Sequence, residues 1–394
     1  MRNPNVQLTL QTSSLVVAFM IWVLISSLMS YIQQDIPLTA GQVSIVTAIP
    51  VILGSLLRIP IGFFTDRFGA RNIFLISFII LLFPVFYISV ASTFMDLVIG
   101  GLILGIGGAV FSVGVTSLPK YYPKDKHGFI NGVYGVGNIG TAITTFGAPF
   151  IAELIGWQST VQLYLILILI YCALIFVFGD RKEERKNKSM IDEMKGVYKN
   201  STLWFLSLFY FITFGSFVAF TMFLPAFLAD YFGLTPTDAG IRTAIFICIA
   251  TLLRPVGGIL ADKFNAFIIL MFVFAGITFS GILLSFSPDI VWYTVGALTV
   301  GVTVGIGNGA IFKLVPLYFS KQAGIVNGIV SAMGGLGGFF PPLLLAAVSS
   351  LTGQHAIAFM LLSEVALVSF VIVIFMYYQE RISVEKKELV WKVK

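Results

Sequence analysis

Twelve runs of apolar residues, each long enough to cross a bilayer, recur along this chain and leave it one class of fold. A spanning helix needs roughly 20 apolar residues, because hydrocarbon offers no partner to an open backbone N–H or C=O. The runs fall at 13–32, 41–64, 73–92, 95–117, 128–150, 159–179, 203–229, 239–261, 266–286, 290–312, 324–348 and 356–378. They are spans 1 to 12. Apolar residues make up 58% and charged residues 11% of the chain, where a soluble domain carries about 25% charged residues. The expectation is an all-α membrane protein of twelve transmembrane helices. No cleavable leader is expected: span 1 is long enough to cross, and no small-residue cleavage site follows it before the next polar segment.

Lysine and arginine set the orientation. Arg67 and Arg71 follow span 2, Lys120, Lys124 and Lys126 follow span 4, and seven basic residues from Arg181 to Lys199 follow span 6. Lys263 follows span 8, and Lys313 and Lys321 follow span 10. The alternate loops hold Asp35, Asp96, Glu153, Asp230, Asp238 and Asp289, with Arg242 as their one basic residue. By the positive-inside rule both termini are cytoplasmic. The formal charge of +6 therefore reads as membrane orientation, and no nucleic-acid partner is expected.

The one long polar segment between spans, "GDRKEERKNKSMIDEMKGVYKNS", divides six spans from six. It predicts an N-terminal bundle at 1–180, a cytoplasmic linker at 181–202 and a C-terminal bundle with its tail at 203–394. The halves also repeat. Arg58 and Arg254 are 196 residues apart, as are Asn131-Gly132 and Asn327-Gly328. "GGAVF" at Gly107 answers "NGAIF" at Asn308 in spans 4 and 10. Two pseudo-symmetric six-helix bundles around a central site are a common plan of secondary transporters.

Arg58 stands eight residues before Asp66, and Arg254 eight before Asp262. Eight residues are about 12 Å of helix, against a half-bilayer core of about 15 Å. If each aspartate marks the cytoplasmic boundary, both arginines lie near the midplane. An intramembrane charge is costly and faces a cavity or a partner. No carboxylate occupies a matching depth; the one acid clearly within a span is Glu364, in span 12. A single membrane arginine often snorkels to the interface, but two at repeat-equivalent depth call for an anionic ligand. Guanidinium forks suit small oxyanions, planar or tetrahedral, and carboxylates. The residues alone reach no further than that.

The loop after span 2 reads Gly62-Phe-Phe-Thr-Asp66-Arg67-Phe-Gly69-Ala-Arg71. It matches in full the G-x-x-x-D-R-x-G-x-R loop of the major facilitator superfamily, which the chain resembles over essentially its whole length. The second copy keeps Gly258, Asp262 and Lys263 only. Spans 5 and 11 are rich in glycine, "GVYGVGNIGTAITTFGAP" from Gly132 and "GIVSAMGGLGGFFPP" from Gly328. With an arginine in each of spans 2 and 8, they are similar to the bacterial nitrate/nitrite porters of NarK type. The resemblance implies that Arg58 and Arg254 clamp the anion, that Asn138 assists, and that Phe111 of span 4 and Phe220 of span 7 sandwich it. Related porters carry tyrosine in span 7, so a hydroxyl contact from that span is left open. On the residues alone, Asn138 is either a substrate donor or an interhelical bond, and a lone phenylalanine is more often packing. Gly135, Gly137, Gly334, Gly335 and Gly337 read as sites of close helix packing and sliding between gates.

Other classes find little support. "GVGNIG" at Gly135 has the spacing of a dinucleotide loop, but it lies within an apolar span with no strand before it. Cys172 and Cys248 lie in apolar runs, and His127 and His355 are far apart, so neither a metal nor a cofactor is expected. An enzyme would need a nucleophile-base pair or metal ligands at a membrane face, and a sensor would need a soluble signalling domain. The expected function is nitrate uptake in exchange for nitrite across the cytoplasmic membrane, by a monomer in the lipid bilayer. Proton-coupled nitrate symport, and exchange of another small oxyanion or carboxylate, are the alternatives.

Overall fold

A computed structural model describes residues 3–185, 189–286, 289–352 and 356–392. Each of the twelve apolar runs is helical. Span 1 is Pro4–Asp35 and span 2 is Ala40–Leu56 with Arg58–Phe68. Spans 3 and 4 are Ala70–Ser89 and Phe94–Tyr121, and span 5 is His127–Gly135 with Ile139–Ile155. Span 6 is Trp157–Phe178, span 7 is Ser201–Phe232, and span 8 is Pro236–Leu252 with Arg254–Lys263. Spans 9 to 12 are Ala266–Phe286, Ile290–Tyr318, Ala323–Thr352 and Ala356–Lys392. Most helices outrun the hydropathy boundaries, because a helix continues past the lipid until a cap ends it.

Side-chain caps are visible where spans 2, 4, 8 and 10 begin. Thr39 and Gln42 form a capping box at span 2, and Thr93 and Asp96 form another at span 4. Thr235 caps span 8 with Pro236 behind it, and Asp289 caps span 10 with bonds from Val291 N and Trp292 N. Each cap gives an oxygen to backbone N–H groups that have no partner in the first turn. The linker carries one short helix, Met190–Val197.

Among the described residues, nine helices are individually long and apolar enough to cross, and span 2 is a tenth if its two pieces, bent by 41°, count as one. Span 5 misses because the turn Val136–Asn138 divides it into pieces of 9 and 17 residues, and span 11 counts only as the shorter apolar helix Ala323–Phe339. Spans 3, 6, 9 and 12 lie outermost, in the pairs 3 with 6 and 9 with 12. The halves meet through span 2 against span 11 and span 5 against span 8.

Spans 2 and 8 both break directly before their arginines, at Leu57 and Leu253. Proline explains both breaks. Pro60 and Pro255 lack the N–H that would bond four residues back, to Leu56 and Thr251, and their rings crowd those carbonyls. Arg58 and Arg254 therefore each open a new helical segment.

Candidate functional site

Arg58 is 0% exposed and Arg254 2%. Arg58 donates Nε to Gly108 O at 3.1 Å and Nη1 to Ser331 O at 2.7 Å. Arg254 donates Nη1 to Gly135 O at 3.1 Å and Nη2 to the Tyr210 hydroxyl at 3.1 Å. Gly135 and Ser331 are themselves 196 residues apart, so the two Nη1 bonds are copies of one another. In each, an arginine of one half holds a backbone carbonyl of the other. Among the described residues neither arginine is ion-paired, and Arg58 Nη2 has no partner.

Both guanidiniums lie against the same two rings. Arg58 Cζ is 5.3 Å from the Phe111 centroid and 5.2 Å from that of Phe214; Arg254 Cζ is 5.8 and 5.3 Å from them. The rings face each other at 6.2 Å and 19°. Tyr210 stacks on Phe214 at 5.0 Å, and Phe312 meets Tyr210 edge-on at 4.8 Å. Cation–π attraction contributes about 1–2 kcal/mol per desolvated contact, well short of the several kcal/mol that each buried cation costs. The site has a surplus of positive charge inside aromatic walls.

Asn138 lies in the short turn Val136–Asn138 between the two pieces of span 5, is 0% exposed, and leaves both amide atoms without a partner. Gly135 lets span 5 reach the arginine: a Cβ there would stand 2.9 Å from Arg254 Cδ. Gly335 does the same opposite, where a Cβ would strike Ser55 Oγ and lie 3.5 Å from Arg58 Nη1. Gly137, Gly334 and Gly337 pack against Leu15, Tyr210 and Phe211 in turn.

Phe220 is elsewhere. It stacks on Phe246 at 5.5 Å and meets Phe359 at 6.2 Å, with no described contact to either arginine. The span 7 residues beside the arginines are Tyr210 and Phe214, and Tyr210 brings a hydroxyl. Helix rise could have found them. Span 7 is the 32-residue helix from Ser201, so Phe220 is about 28 Å along it, while Tyr210 and Phe214 are about 14 and 20 Å along, nearer the depth expected for the arginines. The crowding of "FYFITFGSFVAF" obscures that signal.

The loop residues after span 2 tie the two halves together where span 2 meets span 11. Asp66 accepts from Gly324 N, at the start of span 11, at 3.1 Å and pairs with Lys120 at 2.9 Å. Its repeat mate Asp262 accepts from Gly128 N and Phe129 N, at the start of span 5, at 3.0 and 2.7 Å, and pairs with Lys313. Gly62 packs on the Gly324 carbonyl without room for a Cβ. Gly69 ends its helix at φ +83°, a conformation that other residues rarely hold. Arg71 reaches the Phe176 carbonyl at the end of span 6, and Arg67 is exposed over the Phe68 ring.

The sequence pattern of the Major Facilitator Superfamily matches residues 12–342. The chain belongs to that superfamily. It is 67% identical over 377 residues to the "Nitrite extrusion protein" of Bacillus subtilis, covering 96% of this chain and 95% of the relative. It is 53% identical over 374 residues to the "Probable nitrate transporter NarT" of Staphylococcus haemolyticus, covering 95% of this chain and 97% of the relative. Among solved superfamily structures it resembles the Escherichia coli fucose:proton symporter FucP, with a TM-score of 0.77 at 14% identity over 95% of this chain and 99% of that one. The human organic anion transporter MFSD10 gives the same TM-score at 15% identity, over 95% of this chain and 100% of that one. These two likenesses show the fold alone. This member of the superfamily is a multi-pass protein of twelve helices.

Proposed function

We propose that this chain carries nitrate and nitrite across the cytoplasmic membrane by alternating access, taking up nitrate in exchange for nitrite. The observation that carries the reading is two buried arginines turned to one pair of aromatic rings, with no carboxylate paired to either among the described residues. The ring faces take the flat side of a small planar anion, and the guanidinium edges take its oxygens. Relatives above 50% identity over nearly the full chain are named for nitrate and nitrite, which supports those anions over other oxyanions. The chain is a transporter, not an enzyme. In this reading Arg58, Arg254, Asn138 and Phe111 bind the anion, with Tyr210 and Phe214 in the role that sequence gave to Phe220. The bundles 1–180 and 203–394 rock about it on the 181–202 linker, with both termini cytoplasmic and the monomer as the working unit.

Charge bookkeeping favours exchange. The empty site stands at about +2 and the loaded one at about +1, and occlusion strips hydration from any unpaired cation at several kcal/mol per ion. The loaded carrier therefore reorients faster than the empty one. A symporter would use a titratable group lining the path. Glu364 is exposed on span 12, one of the outermost helices, away from the arginines.

The test is uptake of labelled nitrate into proteoliposomes. We expect uptake to require internal nitrite or nitrate and to ignore an uncoupler. Robust uptake into anion-free vesicles, driven by a pH gradient alone, would replace exchange with symport. No nitrate movement under either condition, with the protein folded, would overturn the substrate.

A further inference from the structure

Four buried asparagines lie in the helices that face the centre, and they divide into two kinds. Asn131 donates Nδ2 to Phe312 O at 3.0 Å, and Asn327 donates Nδ2 to Val115 O at 3.0 Å and to Thr116 Oγ1 at 3.2 Å. These two are repeat mates, and each ties one half to the other. Asn138 and Asn308, 0% and 3% exposed, have neither Nδ2 nor Oδ1 bonded. Buried amides are normally satisfied; the first pair spends its donors across the halves and leaves only Oδ1 unbonded, whereas the second pair leaves donor and acceptor both unbonded. Asn138 already belongs to the candidate site. Asn308 has been given no role.

The contacts of span 10 fix where Asn308 points. Gly301, Gly305 and Gly309 lie against Phe246, Ala250 and the Arg254 carbonyl of span 8, while Thr303 and Gly307 lie towards Gly276 and Val273 of span 9. At 100° per residue Asn308 falls about 60° from the Gly305 line, on the same side as Phe312 one turn on. Phe312 packs on Phe111 and Tyr210. Asn308 is thus one turn outward from the aromatic wall, on the face turned to the centre, beside the backbone of Arg254.

Neither free amide has a twin. In "GGAVF" and "NGAIF" the position of Asn308 is Gly107, and 196 residues after Asn138 stands Gly334. The arginines are duplicated and the amides are not. Asn138 follows Gly135, which accepts from Arg254, and Asn308 precedes Gly309, which packs on Arg254. Both uncharged donors therefore belong to the Arg254 end of the site.

We propose that Asn308 donates its amide N–H to the transported anion and, with Asn138, holds it in one orientation at the Arg254 end. The proposal rests on the transport reading above. A three-oxygen planar anion turns an oxygen to each of two amides and a guanidinium, whereas a bent two-oxygen anion presents only its nitrogen lone pair, a weaker acceptor, in the third direction. Asn308 then weighs more on nitrate than on nitrite, and sets the preference between them.

The experiment compares the parent with Asn308→Ala and Asn308→Ser in proteoliposomes, measuring half-saturation for external nitrate and for external nitrite against internal nitrite. Purified protein is melted in parallel with and without nitrate. We expect the half-saturation for nitrate to rise about five- to tenfold in Asn308→Ala, the scale of one neutral hydrogen bond. Nitrite should change by less than about half as much, with an anion-free melting temperature no lower than the parent's. Asn308→Ser, which keeps a small donor, should lie between. Unchanged nitrate half-saturation, an equal change for both anions, or an anion-free melting point that falls in both variants would each overturn the proposal, the last by making the amide structural. A parent that neither exchanges nor melts higher with nitrate would overturn the transport reading itself.

Discussion

Lysine in place of either central arginine keeps the charge and loses the geometry. Arg58 uses Nε and Nη1 to hold two carbonyls from different halves while Nη2 remains unbonded. One ammonium on a flexible stem cannot hold both and still present a planar donor. We expect Arg58→Lys and Arg254→Lys each to lower nitrate exchange by about a hundredfold or more at normal expression, about 2.7 kcal/mol or more of lost stabilisation. Near-normal flux in either would remove that arginine from the site. The rings can be separated in the same assay. Phe214→Leu should reduce exchange by about tenfold, since it removes a face shared by both guanidiniums, while Phe220→Leu should stay within about twofold. The reverse result would return the sandwich to Phe220. That the two arginines meet at one site was legible because each stands eight residues before an aspartate in its half. Tyr210 and Phe214 were not, because span 7 offers aromatic side chains on every face and residue type alone cannot choose among them.

At the scale of elements, the glycines of spans 5 and 11 set how closely the halves can approach. A Cβ at Gly132 would stand 2.6 Å from Arg254 O and 2.7 Å from Pro255 Cα, both backbone atoms that cannot turn aside. Span 5 would have to draw back from span 8, which is what opening to the cytoplasm requires. We therefore expect Gly132→Ala to populate the cytoplasm-open state. A cysteine placed at Ser117, in a chain with Cys172 and Cys248 replaced, should be alkylated faster from the cytoplasmic side, with exchange slowed. Unchanged alkylation would mean that the helices absorb a methyl group without separating. The twelve runs were readable as helices because lipid leaves a backbone no other choice. The breaks at Leu57 and Leu253 were readable in principle from Pro60 and Pro255. Where helices end was not, since Thr39, Thr93, Thr235 and Asp289 cap from polar sequence that hydropathy ignores.

For the whole molecule, the duplicated aspartates matter most. Asp66 of the first half holds the start of span 11, and Asp262 of the second half holds the start of span 5. Removing one leaves its mate in place, so the closed face should loosen in two steps. Asp66→Ala or Asp262→Ala should raise alkylation of the Ser117 cysteine modestly, and the double variant by more than the sum of the two. Simple additivity would make the latches independent. Reporter fusions at 190 should read as cytoplasmic and fusions at Asp289 as external, from the asymmetry of lysine and arginine; a cytoplasmic reading at Asp289 would mean a miscounted span.

Every bond between halves described above lies at the arginines or towards Asp66 and Asp262, on the face that the lysine and arginine asymmetry assigns to the cytoplasm. It is tempting to take a carrier latched on one face for a valve, and thermodynamics forbids it. A latch weighs the two orientations of the carrier equally whichever anion it brings round, so it cancels from any ratio of concentrations reached at rest. What it leaves behind is sidedness in kinetics. The outside of the membrane meets a carrier already waiting, the inside must first draw it round, and half-saturation should be lower outside than in. If the chain exchanges the two anions as proposed, net direction is set by their gradients and not by the protein.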